Sequence, residues 1–122
     1  MRFEHLDVWK RASRLSCDIY ILTKNLKDYG FKDQITRAGL SVPSNIAEGE
    51  ERESTKEKIR FFNYATASIA EVITQLYIGI EINYLDAKKS QELVKEAKQI
   101  FGMLKGLIRA KKMRISEEEA KY

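Results

Sequence analysis

The sequence predicts an all-α fold, an antiparallel up-down-up-down four-helix bundle with a kinked second helix at Pro43. Three observations carry that expectation. Turn-forming residues are scarce, with Pro 1 and Gly 6 in 122 residues, whereas an all-β fold needs a turn every ten residues or so. Apolar residues recur at spacings of three and four through four separate segments, the period of a helix with one buried face. The connections between those segments are short, which forces consecutive helices to run antiparallel. A chain of this length supports one hydrophobic core and not two. Residues 1–112 are therefore assigned to the bundle and 113–122 to a charged, fraying tail.

Helix one is expected from Asp7, as N-cap, to about Lys27. Val8, Ala12, Leu15, Ile19, Leu22 and Leu26 form its seam, with Trp9 and Ser16 beside it. Asp28-Tyr29-Gly30 reads as its end, Gly30 suiting a left-handed position. Helix two follows from about Lys32 to Arg52, with Ile35, Ala38, Val42, Asn45 and Gly49 inward and Ile46 alongside. Pro43 deletes the bond to the carbonyl of Gly39, where the missing side chain leaves room for a bend.

Helix three spans about Thr55 to Tyr84, capped by Ser54 with Glu57 three residues on. It carries two apolar rows. Phe62, Ala65, Ile69, Val72, Leu76 and Gly79 form one; Ile59, Ala70, Ile73, Tyr77, Ile80 and Tyr84 form the other. A bundle helix needs a single stripe, so the second row is expected to be an oligomer interface. Helix four begins after the N-cap Asp86 and reaches about Lys111. Its seam is read as Leu93, Ala97, Ile100, Leu104 and Leu107, with Val94, Phe101 and Ile108 alongside.

Composition narrows the function. At 43% hydrophobic and 33% charged the chain is too apolar for a disordered one. Cys17 is the only cysteine, so no disulfide framework exists and a reducing compartment is expected. Neither a signal-peptide core nor a run of ~18 apolar residues is present, which points to the cytoplasm and away from the membrane. The net charge of +4 is unevenly placed. From Lys95 to Arg114 there are seven cations against the single anion Glu96, and Glu117-Glu118-Glu119 follows.

Catalytic residues, metal ligands and cofactors are all expected to be absent. A di-metal bundle needs Glu-x-x-His pairs on facing helices, and His5, the one histidine, precedes the first helix. Cys17 lacks a basic partner on its own face, and no glycine-rich phosphate loop exists. Gly102 and Gly106 sit in a helical pattern, which points to close helix packing.

Two polar constellations remain. Arg37, Ser41, Ser44 and Glu48 form a row beside the apolar face of helix two, Asn45 lies within that face, and Ser68, Glu71 and Gln75 align on helix three. Buried polar groups must bond to one another. The set reads either as a network fixing helix register or as a polar ligand site between the two helices. On the basic side, Lys98, Lys105, Arg109 and Lys112 lie near one another on helix four, and Lys10, Arg11 and Arg14 cluster on helix one. In a monomer these are solvated faces; multiplied in an oligomer they make a salt-sensitive site for a phosphate backbone.

The opening Phe3-Glu4-His5-Leu6-Asp7-Val8-Trp9-Lys10, the run from Gln34 to Gly49 containing Val42-Pro43-Ser44-Asn45-Ile46-Ala47-Glu48-Gly49, and Arg60-Phe61-Phe62 with Ala67-Ser68-Ile69-Ala70-Glu71 together resemble a known family. It comprises four-helix-bundle proteins encoded in intervening sequences of bacterial large-subunit ribosomal RNA genes. The sequence is also similar to the accessory variability determinant of diversity-generating retroelements. The resemblance extends to about Arg109, with Gly39 departing from an expected alanine. It implies a pentameric ring, and, from the retroelement relative, association with nucleic acid and a reverse transcriptase through a basic surface. The expected function is thus a non-enzymatic homo-oligomeric scaffold that binds RNA or DNA through phosphate contacts. The alternative is a module that docks a partner protein such as a polymerase without touching nucleic acid.

Overall fold

Helix starts in this chain are set by short polar side chains that satisfy otherwise free backbone N–H groups. In the computed structural model, which describes residues 1–121, a 3-10 turn at Arg2–His5 leads into α1 (Asp7–Thr23), α2 (Tyr29–Glu50), α3 (Thr55–Glu81) and α4 (Ala87–Ala120). Ser54 accepts from the Glu57 amide at 3.0 Å, and Asp86 accepts from the Lys89 amide at 2.8 Å, as their positions predict. Asp28 behaves otherwise than expected. Its carboxylate accepts from the Phe31 amide at 3.1 Å and so opens α2, while α1 has already ended at Thr23. Gly30 lies in the first turn of α2 with an ordinary negative φ. Asp7 is the first residue of α1 and not its cap, since Leu6 holds that place after the 3-10 turn.

The left-handed residue of the chain is Asn83, with φ 61°, one position beyond the C-cap of α3. It ends α3 short of Tyr84 and lets the amides of Tyr84 and Leu85 both donate to the Gly79 carbonyl, at 2.9 and 3.1 Å. At the other extreme, α4 passes Lys111 and continues to Ala120. The segment 113–120 has no apolar pattern to bury, but it holds neither Pro nor Gly and is rich in good helix formers. Propensity carries the helix where burial does not.

Each helix packs on its neighbours in the chain, and α4 closes back onto α1. The neighbours are antiparallel. Gly39 meets Ile19 and Glu51 meets Phe3 between α2 and the N-terminal region; Gly49 meets Phe62, and Ser41 meets Ser68, between α2 and α3. Lys98 meets Tyr77 and Lys111 meets Phe62 between α4 and α3. One core runs through the middle, centred on the fully buried Leu15, Ile19, Ile46, Phe62, Leu76 and Leu104. Pro43 is buried within an unbroken α2. Gly39 has a second role beside Pro43, because a Cβ there would stand 2.9 Å from Ile19 Cδ1. The middle of the α4 seam is as expected, with Ala97, Ile100 and Leu104 buried, but its ends are rotated by one residue: Val94 and Ile108 are buried, while Leu93 and Leu107 are half-buried flanks. No helix among the described residues is long and apolar enough to cross a membrane.

Candidate nucleic-acid interface

Arginine pairing separates α4 from the rest of the molecule. The chain has arginines at 2, 11, 14, 37, 52, 60, 109 and 114. The first six each face a carboxylate: Glu51, Glu96, Asp18, Asp33, Glu48 and Glu57 respectively. Arg109 and Arg114, both on α4, have no ion pair among the described residues, and neither do Lys98, Lys105 and Lys112. Lys105, Arg109 and Lys112 line one shallow groove with Asn63 and Ile108, at the seam of α3 and α4. Lys98 sits two turns away with its ammonium 5.9 Å from the Tyr77 ring, and the Lys105 ammonium lies 5.5 Å from the Phe101 ring. The structure therefore gathers the four helix-four cations along one edge.

The one acid inside that basic stretch is already committed. Glu96 accepts from Arg11 Nη2 at 2.6 Å and from Arg11 Nε at 2.8 Å, a two-pronged bond across α1 and α4. Arg11 also reaches Gln99 and the Met103 sulfur. This bond holds the Glu96 carboxyl below its ordinary value and raises the guanidinium. The pairing removes the only local anion from the stripe. Of the basic patch expected on α1, Arg11 faces α4, while Arg14 pairs with Asp18 at 2.7 Å and stays exposed, as does Lys10. Lys111 differs from its neighbours as well. It is half-buried over the Phe62 ring, and burial holds its ammonium below the usual lysine value. Gly102 and Gly106, expected to mark close packing, face open space, with nothing within 4 Å of a built Cβ.

The α3 face is a second distinctive surface. Its first apolar row is entirely buried. Within the second row, Ile59 and Ile73 pack against the core and Ile80 is half-buried, so the chain itself covers part of the expected interface. Tyr84 is tied down too: its hydroxyl donates to Asp28 at 2.9 Å and its ring meets Phe31 edge-on. Ala70 and Tyr77 stay exposed, and the structure adds Tyr64, Ala67 and Ile78 to them. Between Phe61 and Ile80 the only charged residue is Glu71. That sparsity of charge was the available signal for this wider face.

The polar set on α2 and α3 resolves into three members. Ser41 Oγ and Ser68 Oγ are 2.8 Å apart across the helices, and Asn45 Nδ2 donates to both the carbonyl and the hydroxyl of Ser41 at 2.9 Å. Of these bonds only the Ser41–Ser68 one crosses from α2 to α3, while the two from Asn45 stay within α2. Arg37 turns to Asp33 at 2.8 Å, Glu48 turns to Arg52 at 3.2 Å, and Ser44 bonds back to the Leu40 carbonyl. Glu71 shares a shallow groove with Arg37, Ser41 and Ser68 but bonds to none of them. The neighbouring Gln75 Oε1 is buried without a partner. Among the described residues no three His, Cys, Asp or Glu side chains stand close enough to hold a metal ion.

A four-helix bundle with one cationic helix edge and one charge-poor helix face is the class of protein these observations define. The family model for the 23S rRNA-intervening sequence protein matches residues 4–106. The chain belongs to that family. Its fold is similar to that of a protein of unknown function from the S23 ribosomal protein family of Bacteroides thetaiotaomicron, with a TM-score of 0.79 at 24% identity. The likeness covers 83% of this chain and 97% of that one. No curated protein matches the sequence at a significant level.

Proposed function

We propose that this protein is a non-enzymatic homo-oligomeric scaffold, a pentameric ring in the cytoplasm, that associates with structured RNA through phosphate contacts on α4. The observation that carries the reading is the row of four cations along one edge of α4, Lys98, Lys105, Arg109 and Lys112, in which Arg109 lacks the carboxylate partner that each of the first six arginines has. Phosphate oxygens are the partners that lysine and arginine lack there, and such contacts set affinity without reading sequence. A single stripe holds few contacts. Repeating it around an oligomer multiplies them, and the exposed Tyr64, Ala67, Ala70, Tyr77 and Ile78 supply a charge-poor face through which copies can associate.

Filter binding of ribosomal RNA fragments tests the reading. The double reversal Lys105→Glu with Arg109→Glu is expected to weaken binding about a hundredfold near 0.1 M salt and to lower the salt slope by about two. Unchanged affinity in that variant overturns it. The α3 face also favours a second reading, in which it docks a partner protein such as a polymerase. A monomer in solution, with no RNA affinity at low salt, is the result that selects this alternative.

A further inference from the structure

The stripe on α4 does not fade along the helix; it reverses sign. The row Lys98, Lys105, Arg109, Lys112 continues on the same face to Ser116 and Glu119, and Glu117 and Glu118 stand beside it. These three carboxylates have no ion pair among the described residues. They occupy the C-terminal end of a 34-residue helix, where the macrodipole already disfavours negative charge. Ile115, Glu118 and Glu119 share a shallow groove with Ser54, Thr55 and Lys56 at the start of α3. Proximity to that helix N-terminus offsets part of the cost for Glu118 and Glu119. It gives no reason for a run of three acids directly after seven cations.

Resting on the phosphate-binding reading above, we propose that Glu117, Glu118 and Glu119 form an electrostatic stop that sets the length of nucleic acid backbone each copy accepts. Lys98 and Lys112 are separated by fourteen residues, about 21 Å of helix at 1.5 Å per residue. That distance spans about six phosphate steps of one strand at ~3.4 Å each. Glu119 lies about 10 Å beyond Lys112, so a phosphate at the end of the stripe is within about one Debye length of the acids at 0.1 M salt. A duplex tracking further along α4 meets repulsion, and the backbone must turn away from the helix after Lys112. The ligand class this selects is a short duplex arm, or a longer duplex that crosses α4 instead of following it.

Fluorescence anisotropy of the full chain with labelled RNA duplexes of about six, twelve and twenty-four base pairs tests the stop against the triple variant Glu117→Gln, Glu118→Gln, Glu119→Gln. Circular dichroism is expected to show the variant as helical as the parent, since glutamine is a good helix former. The six-pair duplex should bind both proteins equally. The longer duplexes should bind the variant several-fold more tightly near 0.1 M salt, and the gain should shrink as salt rises, because the variant adds no cation and only removes a repulsion that salt screens. Binding by both proteins with the same affinity at every length overturns the stop and leaves the phosphate-binding reading standing. No binding by either protein at any length removes both together.

Discussion

Arg11 shows how one side chain settles the character of a surface. Its bond to Glu96 joins α1 to α4 and, in the same stroke, withdraws the only carboxylate from the basic stretch. Both side chains are about one-third exposed, at 37% and 32%, so the pair is worth less than a buried one. Replacing Arg11 by Met is expected to cost about 1 kcal/mol and about 4 °C in melting temperature. On the proposed phosphate-binding reading, the same change frees Glu96 beside the stripe and should weaken RNA binding. Calorimetric melting and anisotropy on one variant check both halves.

Stability should also depend on pH at both ends of the scale. The Phe31 amide, and then the Tyr84 hydroxyl, hold the Asp28 carboxyl below its ordinary value, and Arg11 does the same for Glu96. A depressed carboxyl contributes stability above its unfolded pKa, and that contribution is lost as pH falls through the folded one. Tyr84 is raised by the same bond to Asp28, so its contribution is complete below about pH 10 and disappears as pH rises through the folded value. Melting curves across the range should show a neutral plateau with both limbs falling. In Tyr84→Phe the alkaline loss assigned to this hydroxyl should vanish, and the acid limb should shift toward an ordinary aspartate.

At the scale of the helices, the glycines divide into two groups with opposite predictions. A Cβ at Gly79 would lie 2.7 Å from Leu85 Cγ and 3.1 Å from Phe31, and one at Gly49 would lie 3.0 Å from Phe61 and from the Phe62 ring. Gly79→Ala and Gly49→Ala should each destabilise by about 1–3 kcal/mol through overpacking. Gly102 and Gly106 meet nothing, so alanine at each should stabilise the monomer by about 0.5–1 kcal/mol. Chemical denaturation of the four single variants distinguishes the groups.

Much of this level is legible in the sequence. The seams of α1 and α2, the caps Ser54 and Asp86, and the buried row of α3 all follow from spacing and capping chemistry. Two of the misplaced boundaries, the start of α2 and the end of α3, share one physical cause. Asp28 and Asn83 are short polar residues suited to either end of a helix or to a turn, and only the neighbouring amides decide which. The rotated ends of the α4 seam reflect two adjacent apolar rows, between which periodicity alone does not choose. Of the candidate surface, the helix-four cations were legible from charge count. The pairing of Arg14 with Asp18, four residues on in α1, was legible too, but the pairing of Arg11 with Glu96 was not, because it depends on the register of helices distant in sequence.

For the whole molecule, the surfaces form a pattern that a lone bundle does not require. The outer face of α3 holds exposed Tyr77 and Ile78, at 47% and 48%, with Glu71 the only charge for twenty residues. Exposed apolar faces of this kind mark interfaces. The double variant Ala67→Glu with Ile78→Glu should convert the proposed assembly to monomers while retaining full helicity, as read by light scattering and circular dichroism. It should also weaken RNA binding, because stripes that no longer share an assembly no longer act together.

The salt dependence of RNA affinity tests the scaffold account most directly. A single stripe of four cations supports a slope of log affinity against log salt no steeper than about −3.6 on a duplex. The proposed assembly should exceed that magnitude, because several stripes would then engage one RNA, and the Ala67→Glu, Ile78→Glu variant should fall back to it or below. A wild-type slope near zero, or no measurable affinity at low salt, would contradict the account.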